Sequence, residues 1–203
     1  MSRRLPYLAL VLLTAFAVPD SSAQAPAPTP TPKPQPRLHG QRVPVDVARI
    51  LVDDGDTVTI DWAKDDKETV RILGIDTPET RHVEHNLPYP QEFGPEARGF
   101  ALGVFATTTE VQILRAGTLD PYGRTLGYLF VNGKNYSVLV VRARLAIETV
   151  SHYGDNGLPK EAADVLAAAK AAGPVPFEPP YAFRARMREV SAWMKQNGLD
   201  PEK

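Results

Sequence analysis

A short turn in the first half of the chain concentrates groups that could do chemistry. The segment "GIDTPET", Gly74 to Thr80, follows an apolar run and carries two carboxylates, Asp76 and Glu79, separated by Thr77 and Pro78. Carboxylates that a proline holds apart can bind a hard cation or accept a proton from water. We therefore interpret this turn as the centre of a candidate site.

Three more charged residues lie where predicted strands begin or end. Asp56 has the same alternation parity as the apolar residues of the second predicted strand, and Arg124 that of the fifth. Alternate residues of a strand point to one face, so both charges continue rows expected to face the interior of a barrel. Arg71 lies inside the apolar third strand. Charged residues are expected at such inward-facing positions only if the mouth of the barrel is a functional site.

The set of charges suits one class of reaction. Two aspartates and a main-chain carbonyl form a hard oxygen site of the kind that Ca²⁺ prefers. Two arginines offer planar forks to phosphate oxygens, and Glu79 is a third carboxylate that can accept a proton from water. The combination predicts hydrolysis of a phosphodiester.

The elements that must position these residues are read from hydrophobic periodicity. The pattern predicts an α+β protein, mainly β barrel: a five-stranded OB-fold barrel with three helices and an extra C-terminal helix. "AKDDKE" is interpreted as a polar hairpin loop. The predicted strands cover residues 43–52, 57–62, 69–75, 110–114 and 124–131, and the predicted helices begin near residues 94, 136, 159 and 181.

The chain divides into four predicted segments. Residues 1–23 resemble a secretory signal peptide, with a retained membrane anchor as the alternative. Residues 24–42 are proline-rich and predict a disordered tether, with a proline-rich recognition ligand as the alternative. Residues 43–173 form the globular domain and residues 174–203 a C-terminal helical extension.

The net charge of −1 argues against coating nucleic acid by bulk electrostatics, and the absence of cysteine excludes a disulfide framework.

Four motifs in order resemble the staphylococcal nuclease (thermonuclease) family over about residues 43–171. They are "DGDTV", "VRILGIDTPET", "FGPEARGF" and "DPYGRTLGYLF". The resemblance implies an SNase-like OB-fold domain at residues 43–173. It also implies Ca²⁺-dependent endonucleolytic cleavage of DNA and RNA that leaves 3′-phosphates.

The resemblance also implies residue roles. Asp56, Asp76 and the Thr77 carbonyl would be ligands of one Ca²⁺ ion. Glu79 would be the general base or would orient the attacking water. The phosphate-binding pair would be Arg71 and Arg124.

The sequence departs from the family pattern at the expected substrate contacts. Pro121 replaces the lysine that commonly precedes the tyrosine of "YGR", and Val150 and His152 replace tyrosines. Tyr122, His152 and Tyr153 are the substrate-binding candidates that remain. The partners expected are DNA and RNA, with single-stranded or frayed regions favoured, and the protein is expected to be monomeric.

Two segments have competing interpretations. His82 and His85 in "RHVEH" could suggest zinc, but a solvated loop is preferred because two histidines do not complete a zinc site. Residues 184–189, "RARMRE", could touch phosphate, but a solvated helix face is preferred.

The alternatives for the whole protein are a non-catalytic OB-fold module that binds nucleic acid or a protein, and a structural envelope protein. The expected location is outside the cytoplasm, periplasmic or extracellular. No membrane span is expected after signal cleavage; if the N-terminus is not cleaved, the proline-rich segment would tether the protein to the envelope.

Overall fold

A curled mixed β-sheet with helices packed against it forms the body of the protein. The computed structural model describes residues 33–199. The main sheet has the order β1-β6-β7-β4-β3-β2, with β8 paired to β7, and a second sheet pairs β5 with β9. The strands are β1 (Arg42–Val45), β2 (Ile50–Val52), β3 (Thr57–Ala63), β4 (Asp66–Ile72), β5 (Ile75–Asp76), β6 (Val111–Leu119), β7 (Thr125–Val131), β8 (Lys134–Asn135) and β9 (Ile147–Glu148).

Five α-helices within residues 33–199 complete the fold. Proline begins or nearly begins α1, α4 and α5, where a missing N–H costs nothing because the first helical donors have no intrahelical partner. The Asn135 side chain accepts from the Ser137 N–H and caps α2. The helices are α1 (Gly94–Thr107), α2 (Tyr136–Arg142), α3 (Val150–Tyr153), α4 (Pro159–Ala172) and α5 (Pro180–Gln196).

The middle strands of the main sheet pair in different senses. β3 and β4 form an antiparallel hairpin, whereas β4 pairs with β7 in parallel, with Arg71 opposite Leu126. The core between the sheet and helices α1, α2 and α4 contains fully buried Ile60, Tyr128 and Tyr136. The α+β, OB-fold-like class predicted from the sequence is confirmed.

Two boundaries in the first β region differ from the prediction. The expected continuous strand over residues 43–52 is interrupted by a 3₁₀ turn at Val47–Arg49, where the Asp46 carboxylate accepts from the Ala48 N–H. Such local side-chain hydrogen bonds compete with strand pairing. The predicted hairpin loop is shorter than expected because β4 begins at Asp66; Asp65 has a φ of 63°, which aspartate tolerates in tight turns.

The predicted tether is wrong at its C-terminal end. Residues 33–40 lie along β6, where the Gln35 N–H donates to Gly117 and the Gly40 N–H donates to Arg115. Gln35 is buried and donates to the Thr125 hydroxyl, so this part of the segment belongs to the folded body. The predicted signal peptide and residues 24–32 lie outside the described residues. Among residues 33–199, no helix has the length and apolar character needed to cross a membrane.

Helix α5 packs on the loop between β5 and α1. Phe183 and Met187, on its buried face, contact Leu87 of that loop. Further along the helix, the Ser191 hydroxyl and the Lys195 ammonium both donate to the Asn86 side chain, at 3.3 and 2.7 Å. The C-terminal extension is therefore part of the fold and covers the chain that follows the candidate turn.

Candidate functional site

Asp56 is fixed in a buried position at the start of β3. Its side chain accepts a hydrogen bond from the Thr77 N–H at 2.7 Å, which ties it to the candidate turn. Gly55 allows this approach, because a Cβ there would lie 2.8 Å from the Thr77 side chain. Asp56 is only 2% exposed, so its charge needs a partner close by.

Arg71 supplies that partner and joins the two predicted acidic ligands. Its guanidinium pairs with Asp56 through Nη1 and with Asp76 through Nη2, the second contact at 2.7 Å. Arg71 lies in β4, which is paired to β3, so strand pairing itself places it beside Asp56. Asp56, Arg71, Asp76 and Thr77 thus converge at one end of the sheet.

Glu79 is held by the loop that follows it. Its N–H donates to the Gln91 side chain at 3.2 Å, and its carbonyl accepts from the Gln91 N–H at 2.8 Å. Burial raises the pKa of the Glu79 carboxyl above its ordinary value, and Arg184 partly offsets the effect. A carboxyl of raised pKa is a better proton acceptor once ionised.

Arg184 of α5 is the residue of this site that the sequence interpretation missed. Its guanidinium forms a fork with both oxygens of Asp76, at 3.0 and 3.1 Å, and also pairs with Glu79. Burial alone would lower the pKa of Arg184, but bonds and charges from both acids outweigh it, so the pKa is raised and the charge retained. The solvated face expected for residues 184–189 is wrong at Arg184.

Arg124 lies beside the site but does not pair with its acids. Residue 125 is opposite Val70 in the parallel ladder, so Arg124 is near the end of the strand that neighbours Arg71. Its guanidinium pairs with Asp120 at 2.7 Å and lies over the ring of Tyr122. Tyr122 is 85% exposed, a position from which it can meet a large ligand.

His152 and Tyr153 lie on α3. The N–H of Thr149, which precedes that helix, donates to Gly74 at the start of the candidate turn. The two rings contact each other edge to face with centroids 4.5 Å apart, and Tyr153 is 70% exposed. Their position places aromatic surface beside the turn.

A sequence model described as "Staphylococcal nuclease homologue" matches residues 69–173, more than half of this 203-residue chain. The chain belongs to the staphylococcal nuclease homologue family. The matched part contains Arg71, Asp76, Glu79 and Arg124. Asp56 precedes it, and Arg184 follows it.

Named relatives agree with the family. The chain is 38% identical to a thermonuclease of Staphylococcus intermedius over 94 residues, which is 46% of this chain and 53% of that protein. It is 36% identical to a thermonuclease of Staphylococcus hyicus over 99 residues, 48% and 55% of the two chains. It is 30% identical to endonuclease YncB of Bacillus subtilis over 94 residues, 46% and 43%. The chain thus spans about half the length of these curated relatives.

The oxygen donors of this staphylococcal nuclease homologue fit a calcium ion chemically. Asp56, Asp76 and the Thr77 main chain are brought together by the Thr77–Asp56 hydrogen bond and by Arg71. All three offer hard oxygen atoms, the donors that Ca²⁺ prefers. In this structure guanidinium groups contact both carboxylates, so a cation would share Asp76 with Arg71 and Arg184.

A second group of possible metal ligands lies on the 3₁₀ turn at Val83–His85. Donor atoms of His82, Glu84 and His85 lie within 4.8 Å of one another. However, both ring nitrogens of His82 are engaged, one with the Thr80 hydroxyl at 2.7 Å and the other with Glu84 at 3.3 Å. Metal binding there would break one of these bonds, and the site at the candidate turn carries the stronger argument.

Proposed function

We propose that this chain is an exported, Ca²⁺-dependent endonuclease that hydrolyses phosphodiester bonds of DNA and RNA with little sugar or sequence specificity. One observation carries the proposal: Asp56, Arg71, Asp76 and Glu79 form one connected group at the end of the sheet, in a staphylococcal nuclease homologue. Arg184 completes the connection between Asp76 and Glu79. Acids that can hold a cation, arginines that can bind phosphate and a partly buried carboxyl together can support hydrolysis of a phosphodiester.

The chain's own residues supply binding and proton transfer. Glu79 takes a proton from the attacking water or orients that water, and the water oxygen forms a bond to phosphorus. The bond from phosphorus to the 5′ oxygen breaks, the 5′ oxygen takes up a proton from solvent and leaves as a hydroxyl, and the phosphate stays on the 3′ oxygen. Arg71 and Arg124 bind the phosphate oxygens and stabilise the charge that develops there. Ca²⁺ bound by Asp56, Asp76 and the Thr77 carbonyl would add positive charge at a phosphate oxygen.

The proposed substrate preference follows from what the site offers. The proposed arginine contacts are to phosphate, and contacts to phosphate carry no base-sequence information. The exposed rings of Tyr122 and Tyr153 can stack on unpaired bases, which favours single-stranded or frayed DNA and RNA. A chain with a net charge of −1 gains little from bulk attraction to nucleic acid, so binding rests on these local groups.

The proposed setting is outside the cytoplasm. We propose export through the N-terminal signal segment, followed by a periplasmic or extracellular monomer. Calcium is abundant in such compartments, so weak binding is enough to fill the site. With few protein ligands, we expect a dissociation constant of about 10⁻⁴–10⁻³ M.

The test is digestion of end-labelled DNA and RNA with Ca²⁺, Mg²⁺, Mn²⁺ and chelator, with analysis of the product ends. We expect cleavage only with Ca²⁺ and products that carry 3′-phosphates. Glu79→Gln should lower kcat by about 10²–10⁴-fold, because the group that accepts or directs the proton is lost. Glu92→Gln, a change at an exposed residue in the adjacent loop, is the matched control and should leave kcat unchanged.

Other outcomes contradict the proposal in distinct ways. Cleavage in the presence of chelator would show that the reaction does not need calcium. Products with 5′-phosphates would show that the bond from phosphorus to the 3′ oxygen breaks instead. Binding of single strands without cleavage at any calcium concentration would favour the non-catalytic OB-fold module. Equal kcat for Glu79→Gln and wild type would remove Glu79 from the mechanism.

A further inference from the structure

The C-terminal helix reaches the proposed site although it lies outside the family match. The match ends at residue 173, and α5 covers Pro180–Gln196. The sequence separation between Arg184 and its two acidic partners exceeds 100 residues, so only the docking of α5 brings them together. Arg184 therefore belongs to an element outside the part of the chain that matches the family.

The side chain of Arg184 completes an alternating row of charges. Along that row, Asp56 pairs with Arg71, Arg71 with Asp76, Asp76 with Arg184, and Arg184 with Glu79. Within it, Arg184 is the group that connects Glu79 to a proposed metal ligand. Its fork to both Asp76 oxygens fixes the guanidinium plane, and the bond to Glu79 then fixes the direction of that carboxylate.

The docking of α5 is specific. Phe183 and Met187 flank Arg184 in sequence and are buried against Leu87. The Gln91 side chain donates to the Glu178 carbonyl at 2.7 Å and accepts from the Glu79 N–H. The same glutamine thus ties the segment before α5 to the main chain of Glu79, so the helix and the carboxylate are positioned together.

We propose that Arg184 is a positioning residue of the site, which holds the Glu79 carboxylate beside Asp76. The inference rests on the proposed function for the reaction itself, but the contacts with Asp76 also have a consequence without any reaction. A guanidinium on both oxygens of Asp76 repels a cation that uses the same carboxylate. Removal of this charge should therefore strengthen Ca²⁺ binding while it weakens catalysis.

The experiment compares Arg184→Gln, Arg184→Lys and the control Arg188→Gln in the full chain. Arg188 is an exposed arginine of the same helix. For Arg184→Gln we expect kcat to fall about 10–100-fold, as for loss of a partner that orients a ligating or reacting group. KM should change far less. Calorimetric titration with Ca²⁺ should show at least about tenfold tighter binding, because the competing charge is gone.

The lysine variant separates charge from geometry. Arg184→Lys keeps the positive charge but cannot form the fork, so its Ca²⁺ affinity should stay near that of wild type while kcat remains reduced. Arg188→Gln should match wild type in both measurements. Thermal unfolding of each variant shows whether α5 remains docked, and a variant that has lost only stability would keep kcat per folded molecule.

The outcomes distinguish this inference from the proposed function. A kcat and a Ca²⁺ affinity of Arg184→Gln within about twofold of wild type would overturn the positioning role. If the wild-type protein binds Ca²⁺ but cuts nothing, the proposed function fails, and the role of Arg184 at Asp76 is then decided by the calorimetric comparison alone. A wild-type protein that neither binds Ca²⁺ nor cuts overturns both.

Discussion

At the scale of single residues, the two arginines of the proposed phosphate-binding pair differ in what they contact. Arg71 pairs with the acids of the site, whereas Arg124 pairs with Asp120 at 2.7 Å and lies beside the exposed Tyr122. An arginine held by one acid at the edge of a site keeps several N–H donors for a ligand. Under the proposed function, Arg124 therefore has donors available for a phosphate, whereas Arg71 would have to exchange partners to bind one.

Arg124→Ala tests this assignment. We expect kcat/KM to fall about 10²–10³-fold, the cost of losing one preorganised donor at a reacting oxyanion. Arg142→Ala, at the exposed end of α2, is the control for loss of an arginine and should have no effect. Steady-state kinetics on a short labelled oligonucleotide give both values. A loss smaller than about threefold would make Arg124 a surface charge without a catalytic role.

The sequence predicted part of this site and missed part of it for physical reasons. Strand parity and four ordered motifs identified Asp56, Arg71, Asp76 and Glu79, which the structure brings together. Arg184 lies among the buried positions of its helix, between Phe183 and Met187, which was the available signal. A charge there can reach solvent or a distant acid, and only the docking of α5 decides which.

At the scale of elements, the start of α1 is fitted closely to the candidate turn. A Cβ on Gly94 would overlap the carbonyl oxygen of Glu79 and lie 2.7 Å from its carbonyl carbon. Glycine at this position therefore allows the helix to begin directly against the main chain of Glu79. The position of the helix and the position of the proposed base are set by the same contact.

Gly94→Ala should therefore disturb both stability and catalysis. We expect a loss of about 1–3 kcal/mol in the free energy of unfolding, as for overpacking, and a lower kcat because Glu79 shifts. Gly99→Ala is the matched control, since a Cβ there meets nothing within 4 Å. It should stabilise the protein by about 0.5–1 kcal/mol, the helix preference of alanine over glycine. Urea unfolding would contradict the fit if Gly94→Ala were as stable as Gly99→Ala.

The boundaries of elements were less predictable than their existence. Hydrophobic periodicity indicated every long helix, but it could not show that the Asp46 side chain interrupts the first strand. It also could not show that β4 begins at Asp66, because residues 66–68 are all polar and give no apolar alternation, although Glu68 is buried. Both cases are decided by local hydrogen bonds.

At the scale of the whole molecule, a buried ionic group joins four strands of the main sheet. Glu68 of β4 binds Arg115 of β6 through two bonds of 2.7 and 2.8 Å, and it also accepts from Thr125 and Trp62. Burial alone would raise the pKa of Glu68, but these bonds outweigh it, and the pKa is lowered from 4.5. The folded state therefore favours the ionised carboxylate.

This lowered pKa predicts how stability depends on pH. A carboxyl with a lower pKa in the folded state contributes stability above its unfolded pKa, and the contribution is lost as the pH falls through the folded value. Wild-type stability should thus decrease below about pH 4.5 more steeply than that of Glu68→Gln. The variant should be about 3–5 kcal/mol less stable at neutral pH, because Arg115 loses its buried partner.

Urea unfolding between pH 7 and pH 3 measures both effects. Glu189→Gln, at an exposed residue of α5, is the control and should keep the wild-type slope. Parallel pH profiles for wild type and Glu68→Gln would show that Glu68 has the same pKa in the folded and unfolded chains.

The edge strands of the main sheet affect whether copies of the protein aggregate. Its terminal strands are short, four residues in β1 and three in β2, and β1 contains Pro44, which has no N–H to offer a neighbour. Exposed strand edges are templates for aggregation, and short edges with proline reduce that risk. Residues 33–40 extend the cover along β6 beyond the end of β1. A truncation that removed this segment would uncover main-chain donors and acceptors, so we expect it to aggregate where the longer chain stays dispersed.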